Sequence, residues 1–269
     1  MGQGVVGCLL LAAGSGNRLG AGTPKALANV GGDSLLAHAL RSVLSAPSIR
    51  AVVVTAPVGY QHLVTQTVDR IVGSKSGMVN AGRPSPAELS IRVITGGVGR
   101  GDSVALAEQA LSEECEFVLV HDSARALTPP ELFEDVVAEL VKGAEAVVPA
   151  IPMADTVKSV RPPVVDSGYP VEIVDRTLDR ARLRATQTPQ GFRRDLLVRV
   201  LADHEARAAA TDDASLVEAA GGSVRVIPGH PEAFKITYPL DVLLANAVID
   251  RRQKGEPRCD DDGHGATDE

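Results

Sequence analysis

Val5-Val6-Gly7-Cys8-Leu9-Leu10-Leu11-Ala12-Ala13-Gly14-Ser15-Gly16-Asn17-Arg18-Leu19-Gly20 is the stretch that decides the fold. Its first seven residues are a short apolar run of the kind that forms a buried strand. The glycines after it let the backbone turn sharply and bring N–H groups against an anion. Arg18 and Lys25 then add positive charge, with Pro24 stiffening the approach to Lys25. The Walker A string Gly-x-x-x-x-Gly-Lys-Ser/Thr is absent. The dinucleotide fingerprint fails as well, because Gly20 comes one residue too late after Gly14-x-Gly16, and no acid ends the second strand to hold a ribose. A plain βα turn would account for the glycines alone. The two cations favour triphosphate binding.

Outward from this loop the pattern repeats. Apolar runs at Val5–Leu11, Ala51–Thr55, Ile91–Thr95, Phe117–Val120 and Ala146–Pro149 read as buried strands. Amphipathic segments at Ser34–Leu44, Gln61–Val72, Ser103–Leu111 and Pro130–Lys142 read as helices between them. This alternation predicts an α/β fold with a mostly parallel sheet, and ligands at the carboxyl ends of its strands. Gly73–Leu89, rich in Gly, Ser and Pro, reads as a long surface loop. Asp155–Thr177 alternates β-branched residues around Pro162-Pro163 and an Asp166-Ser167-Gly168 turn, which predicts a protruding β-hairpin arm. Helices are expected again at Arg194–Ala209, Asp213–Ala220 and Pro239–Arg252. One domain is expected over 1–252, with the arm at about 155–180, and an acidic, disordered tail over 253–269.

Composition narrows the function classes. With 44% hydrophobic residues, 3% aromatics and no Trp, the core must be built from Val, Leu, Ile and Ala. A net charge of −7 argues against a nucleic-acid partner, so an anionic ligand must meet a local cluster of Lys and Arg. Cys8, Cys115 and Cys259 are widely spaced, which disfavours zinc and a disulfide framework. Val5–Ala13 is too short to span a bilayer and lacks a basic flank, so no membrane association and a reducing, cytoplasmic setting are expected.

Further anchor points fall at the other strand ends. Asp122, in Val120-His121-Asp122-Ser123-Ala124-Arg125, is placed to meet a ribose hydroxyl or a Mg²⁺-bound phosphate, or else to cap a turn. His121 reads as a hydrogen-bonded structural residue, and the planar fork of Arg125 suits a phosphate. In Gly96-Gly97-Val98-Gly99-Arg100-Gly101-Asp102-Ser103 the glycines would let a base lie against the backbone, and Asp102 or Ser103 is expected as a helix N-cap. Asp212 and Asp213 are expected to cap a helix rather than to do chemistry. Lys235 sits at the end of an expected short strand, and a lone Lys is ordinarily a solvated charge.

Taken together, the chain resembles the 2-C-methyl-D-erythritol 4-phosphate cytidylyltransferases, third-step enzymes of the non-mevalonate isoprenoid pathway. The resemblance rests on Ala12-Ala13-Gly14-Ser15-Gly16, Arg18, Pro24-Lys25, Asp102-Ser103-Val104, His121-Asp122-Ser123-Ala124-Arg125, Asp155-Thr156-Val157-Lys158, Thr188-Pro189-Gln190, Thr211-Asp212-Asp213-Ala214-Ser215 and Lys235-Ile236-Thr237, in that order between Val5 and Asn246. It implies a Rossmann-like nucleotidyltransferase fold, CTP with Mg²⁺ bound mainly through its phosphates, and a homodimer whose arms cross. It further implies that Arg18 and Lys25 are the catalytic cations. Ala12, Ala13, Gly14, Ser15, Gly16, Gly97, Ser103, Asp122 and Ser123 would bind CTP. Arg125, Thr156, Arg180, Thr188 and Lys235 would hold the acceptor, Thr156 and Arg180 in a neighbour's site. Ser123 stands where the family commonly has Ala, Ala126 where Pro is common, and Val98 where some members are polar. Gly73–Leu89 looks like an insertion.

An acceptor phosphate has a second pKa of about 6, so it is a ready nucleophile and needs no base. What hinders the reaction is repulsion between anions, which cations must relieve. The ribitol 5-phosphate cytidylyltransferases, sugar-1-phosphate nucleotidyltransferases and a nucleotide-binding subunit without turnover remain the alternatives. Retention of both Arg18 and Lys25 argues against the last.

Overall fold

The computed structural model describes residues 4–14, 23–75, 89–162, 164–166 and 169–256. In chain order the elements are β1 (Val5–Leu11), β2 (Asn29–Val30), β3 (Asp33–Ser34), α1 (Leu35–Val43), β4 (Ile49–Ala56), α2 (Gln61–Lys75), β5 (Ser90–Thr95), α3 (Arg100–Gln109), β6 (Cys115–Asp122), α4 (Pro130–Val141) and β7 (Ala146–Pro152). The arm holds β8 (Lys158–Val160), β9 (Val164–Asp166), β10 (Tyr169–Val171) and β11 (Val174–Thr177). The chain returns through β12 (Arg184–Thr186), β13 (Gln190–Arg193), α5 (Arg194–Leu201), α6 (His204–Ala209), α7 (Asp213–Ala219), β14 (Val224–Pro228) and α8 (Pro239–Gln253).

The main sheet has eight strands in the order β12-β7-β13-β6-β1-β4-β5, with β14 also pairing β7. β1 lies parallel between β4 and β6, and β4 is parallel to β5. β13 inserts antiparallel between β6 and β7, and β14 runs parallel to β7. The sheet is therefore mostly parallel. From β1 the chain first winds outward through β4 and β5, then crosses back to β6 on the other side. That reversal opens a crevice at the carboxyl ends of β1 and β6.

Period-two alternation explains why both faces are covered. Val6, Cys8 and Leu10 of β1 point to one layer, with Val52 and Val54 of β4 and Phe117 and Leu119 of β6. Helices α1, α2 and α4 cover it with Leu36, Leu40, Val64, Val68, Phe133 and Val136. Leu9, Val53, Val118 and Val120 face the other layer, under Val104 of α3, Leu197 and Val200 of α5 and Val217 of α7. Aliphatic side chains make up most of both layers, with Phe117 and Phe133 in one and Phe192 in the other. A third cluster, with Val30, Leu35, Leu127, Ile236, Val248 and Ile249, fastens α8 to the crevice end of the sheet.

Several expected boundaries move. Gly73, Ser74 and Lys75 belong to α2 rather than to a loop, while 76–88 lie outside the described residues. The single helix expected over Arg194–Ala209 is two, because Asp203 caps a new start by accepting the Ala206 N–H at 3.0 Å. Helix α3 begins at Arg100 with Gly99 as its N-cap, so neither Asp102 nor Ser103 occupies that position. Asp102 is the third helical residue, and its carboxylate reaches back to the Gly99 N–H at 3.2 Å. Phe234–Thr237 forms no strand; it is a connection leading into α8. The arm expected over Asp155–Thr177 is present as two antiparallel ladders, β8 with β11 and β9 with β10. Pro163, Ser167 and Gly168 fall outside the described residues, as does the tail beyond Glu256.

Candidate active site

A crevice of about 660 Å³ opens at the reversal point. Its floor is the end of β1. The Ala12 N–H donates to both the carbonyl and the hydroxyl of Thr55 at 3.1 Å, which fixes where the glycine loop leaves the sheet. On the other side the Ser123 N–H donates to the Leu11 carbonyl at 3.0 Å. Ala12, Ala13, Gly14, Gly97, Ser103, Asp122 and Ser123 all border this space, as do Lys25 and Lys235. Ser15, Gly16 and Arg18 lie outside the described residues.

One wall is the β5–α3 connection. The Ser103 hydroxyl accepts the Gly97 N–H at 3.0 Å and donates to the Gly99 carbonyl at 3.0 Å, closing the connection on itself. A side chain at Gly97 would put its Cβ 2.4 Å from that of Asp102, so only glycine fits. Asp102 is held from behind by Arg207, whose Nη2 lies 3.0 Å from Oδ1.

The other wall carries the charge. Lys25 opens a single 3₁₀ turn after Pro24, and its Nζ lies 3.4 Å from the Thr237 hydroxyl. Thr237 and Tyr238 both donate their N–H to Asp241 Oδ2 at 2.7 Å, pinning this segment to the start of α8. Lys235 Nζ donates to Asp122 Oδ2 at 2.7 Å, and Arg100 approaches Asp122 Oδ1 at 3.4 Å. Burial works against ionisation of Asp122, but Arg100, Lys235 and Arg125 outweigh it and hold the carboxyl well below the usual range. The described residues bordering the crevice include three cations, Lys25, Arg100 and Lys235, and one carboxylate, Asp122. In a chain of net charge −7, this is the local basic cluster that an anionic ligand requires.

Arg100 was not singled out by sequence. Its signal was its place beside the glycines of a strand end. Its Nη1 pairs with Asp213 Oδ2 at 2.7 Å. Asp212 caps α7 as expected, accepting the Ser215 N–H at 3.0 Å. Asp213 instead serves as a buried ion-pair partner, which corrects its reading as a cap. Burial pushes the Asp213 carboxyl up, and Arg100 pulls it part of the way back.

The remaining acceptor-side residues stand apart from the crevice lining. Arg125 donates from Nη1 to the Ala233 carbonyl at 2.7 Å and from Nη2 to the Thr186 carbonyl at 2.9 Å. Thr188 is buried, with its hydroxyl on the Asp122 N–H. Thr156 is exposed at the root of the arm, and Arg180 borders a second, shallower depression there and donates to the Ala154 carbonyl. His121 is fully buried against Phe133, and burial pushes its pKa down to about 3, so it is a neutral structural residue. No group of three or more His, Cys, Asp or Glu gathers to hold a metal among the described residues.

The fold, the family match and the relatives that follow make the chain a nucleotidyltransferase. Residues 6–251 match the family described as IspD: 2-C-methyl-D-erythritol 4-phosphate cytidylyltransferase, and the chain belongs to that family. It is 45% identical over 242 residues to the 2-C-methyl-D-erythritol 4-phosphate cytidylyltransferase of Streptomyces avermitilis, covering 90% of both chains. It is 44% identical over 244 residues to that of Saccharopolyspora erythraea, covering 90% of this chain and 97% of the other. Among solved structures, the Thermus thermophilus 2-C-methyl-D-erythritol 4-phosphate cytidylyltransferase superposes with a TM-score of 0.63 at 31% identity, over 90% of this chain and 98% of that one. The 4-diphosphocytidyl-2C-methyl-D-erythritol synthase of Anaerococcus prevotii gives a TM-score of 0.71 at 26% identity, over 93% and 100%.

Proposed function

We propose that this protein transfers CMP from CTP to 2-C-methyl-D-erythritol 4-phosphate, giving 4-diphosphocytidyl-2-C-methyl-D-erythritol and pyrophosphate in isoprenoid biosynthesis. The observation that carries the reading is the cationic crevice at the β1–β6 reversal, in a chain of this family. An oxygen of the acceptor phosphate attacks the α-phosphorus of CTP. The bond from that phosphorus to the bridging oxygen breaks, and pyrophosphate leaves with the electron pair. Lys25, joined by Arg18, neutralises charge on the α-phosphate and the leaving group. Gly97 and Gly99 let the base lie against the backbone of the β5–α3 connection, and Asp122 meets the ribose or the phosphates.

Mg²⁺ belongs to this proposal as an ion carried in on the triphosphate. Asp122, the one carboxylate among the described residues lining the crevice, already faces two cations, which suits few direct protein ligands. When bound, the ion supplies further charge neutralisation. Lys235, Arg125 and Thr188 are assigned to the acceptor side of the same subunit. Thr156 and Arg180, at the arm's root, are assigned to a second subunit's site in a homodimer. CTP sets the location in this reading as cytoplasmic.

The test is pyrophosphate release from CTP and Mg²⁺ with methylerythritol 4-phosphate and ribitol 5-phosphate as parallel acceptors. Turnover with the first alone supports the assignment. Turnover with ribitol 5-phosphate alone keeps the chemistry and overturns the acceptor.

A further inference from the structure

Asp213 stands behind the crevice wall and is 1% exposed. Helix α7 does not need it as a cap, since Asp212 fills that position. Its partner Arg100 does border the crevice. One guanidinium spans two carboxylates unequally: Nη1 forms a 2.7 Å ion pair with Asp213 Oδ2, while Nε and Nη2 both donate to Asp122 Oδ1 over a long 3.4 Å. Asp122 gives its other oxygen to Lys235 at 2.7 Å. Asp213, Arg100, Asp122 and Lys235 thus form an alternating row from the start of α7 into the crevice.

The inequality matters. A planar guanidinium with one carboxylate in reach closes on it as a two-point pair. Such a pair would occupy Asp122 Oδ1. With Asp213 drawing Nη1 to 2.7 Å, the two bonds that Arg100 gives Asp122 Oδ1 stay long at 3.4 Å, weak enough for a ligand's donor to displace them. We propose that Asp213 is a positioning residue for the nucleotide: it restrains Arg100 so that Asp122 stays available to CTP. The inference rests on the crevice being the CTP site.

The experiment uses the full chain and the variants Asp213→Asn, Arg100→Gln and their combination. CTP affinity is read by titration calorimetry, turnover by steady-state kinetics, and stability by thermal melting. Asp213→Asn is near-isosteric, and it should raise the Kd and KM for CTP by about tenfold while kcat changes by less than about threefold. Arg100→Gln leaves a buried carboxylate unpaired and should lower Tm, and adding Asp213→Asn should recover it. The double variant should bind CTP as Arg100→Gln alone does, because no guanidinium remains to restrain. An unchanged CTP Kd in Asp213→Asn overturns the proposal. So does an equal weakening by Asp213→Asn with and without Arg100, which would mark a role independent of that side chain. Failure of the unsubstituted chain to bind CTP would sink the functional reading itself, before any variant is made.

Discussion

The hydroxyl of Thr188 accepts the backbone N–H of Asp122 at 3.0 Å and meets Nδ1 of His121 at 3.0 Å. A side chain on the β12–β13 connection therefore sets the end of β6, where the crevice begins. Thr188→Val keeps the shape and leaves the Asp122 N–H without this partner. Stability should fall by about 1–3 kcal/mol, read as the midpoint of denaturant unfolding, and Thr188→Ser should stay near the parent. If Thr188→Val melts like the parent and only the acceptor KM rises, the hydroxyl serves substrate rather than the strand end.

His121 predicts an acid-side loss of stability. Its pKa is pushed from 6.5 to about 3 by burial, so the folded state stays neutral where the unfolded chain binds a proton. Excess protons on the unfolded state mean that stability rises with pH across that window, and falls as the pH drops from 6.5 toward 3. The depressed carboxyl of Asp122 acts in the same direction below its ordinary 3.8. Urea unfolding followed between neutral pH and pH 4 should show the slope, and His121→Gln should remove the part above pH 5. A slope identical in that variant would reassign it to other groups.

Lys25→Ala tests charge neutralisation. Lys25 borders the crevice on the turn after Pro24. The substitution should lower kcat by about 100-fold or more while CTP affinity changes by less than about tenfold. A KM effect with kcat intact would remove it from the transition state.

Arg125→Lys separates two roles of a planar fork. The two terminal nitrogens of Arg125 hold the Ala233 and Thr186 carbonyls, which an ammonium cannot reach together. A loss of about 1–2 kcal/mol in unfolding free energy is expected, together with a raised acceptor KM. Unchanged stability with a raised acceptor KM would mean that the guanidinium is spent on substrate instead.

Much of the fold was legible because burial leaves a periodic mark. The seven residues of β1 and the apolar spacing of α1 and α4 stand in the chain much as they do in the structure. Strands β12, β13 and β14 escaped notice because short strands laid against β7 carry little pattern of their own. The split between α5 and α6 was hidden for a similar reason: Asp203 caps a helix start inside a run that is helical on both sides.

The sequence by itself determined the alternating α/β order, the aliphatic core, the glycine loop after β1 and the need for clustered cations in an acidic chain. These follow from local periodicity and composition, which act between near neighbours. Only the tertiary structure decided which charges meet. Arg100 and Asp213 are far apart in the chain, as are Lys235 and Asp122, and they pair at 2.7 Å because α3, α7 and the approach to α8 converge on one end of the sheet. Nothing in the spacing of those residues marks the convergence. It is set by the packing of helices on both faces of the sheet, and with it the placing of Asp122 between Arg100 and Lys235 at the crevice.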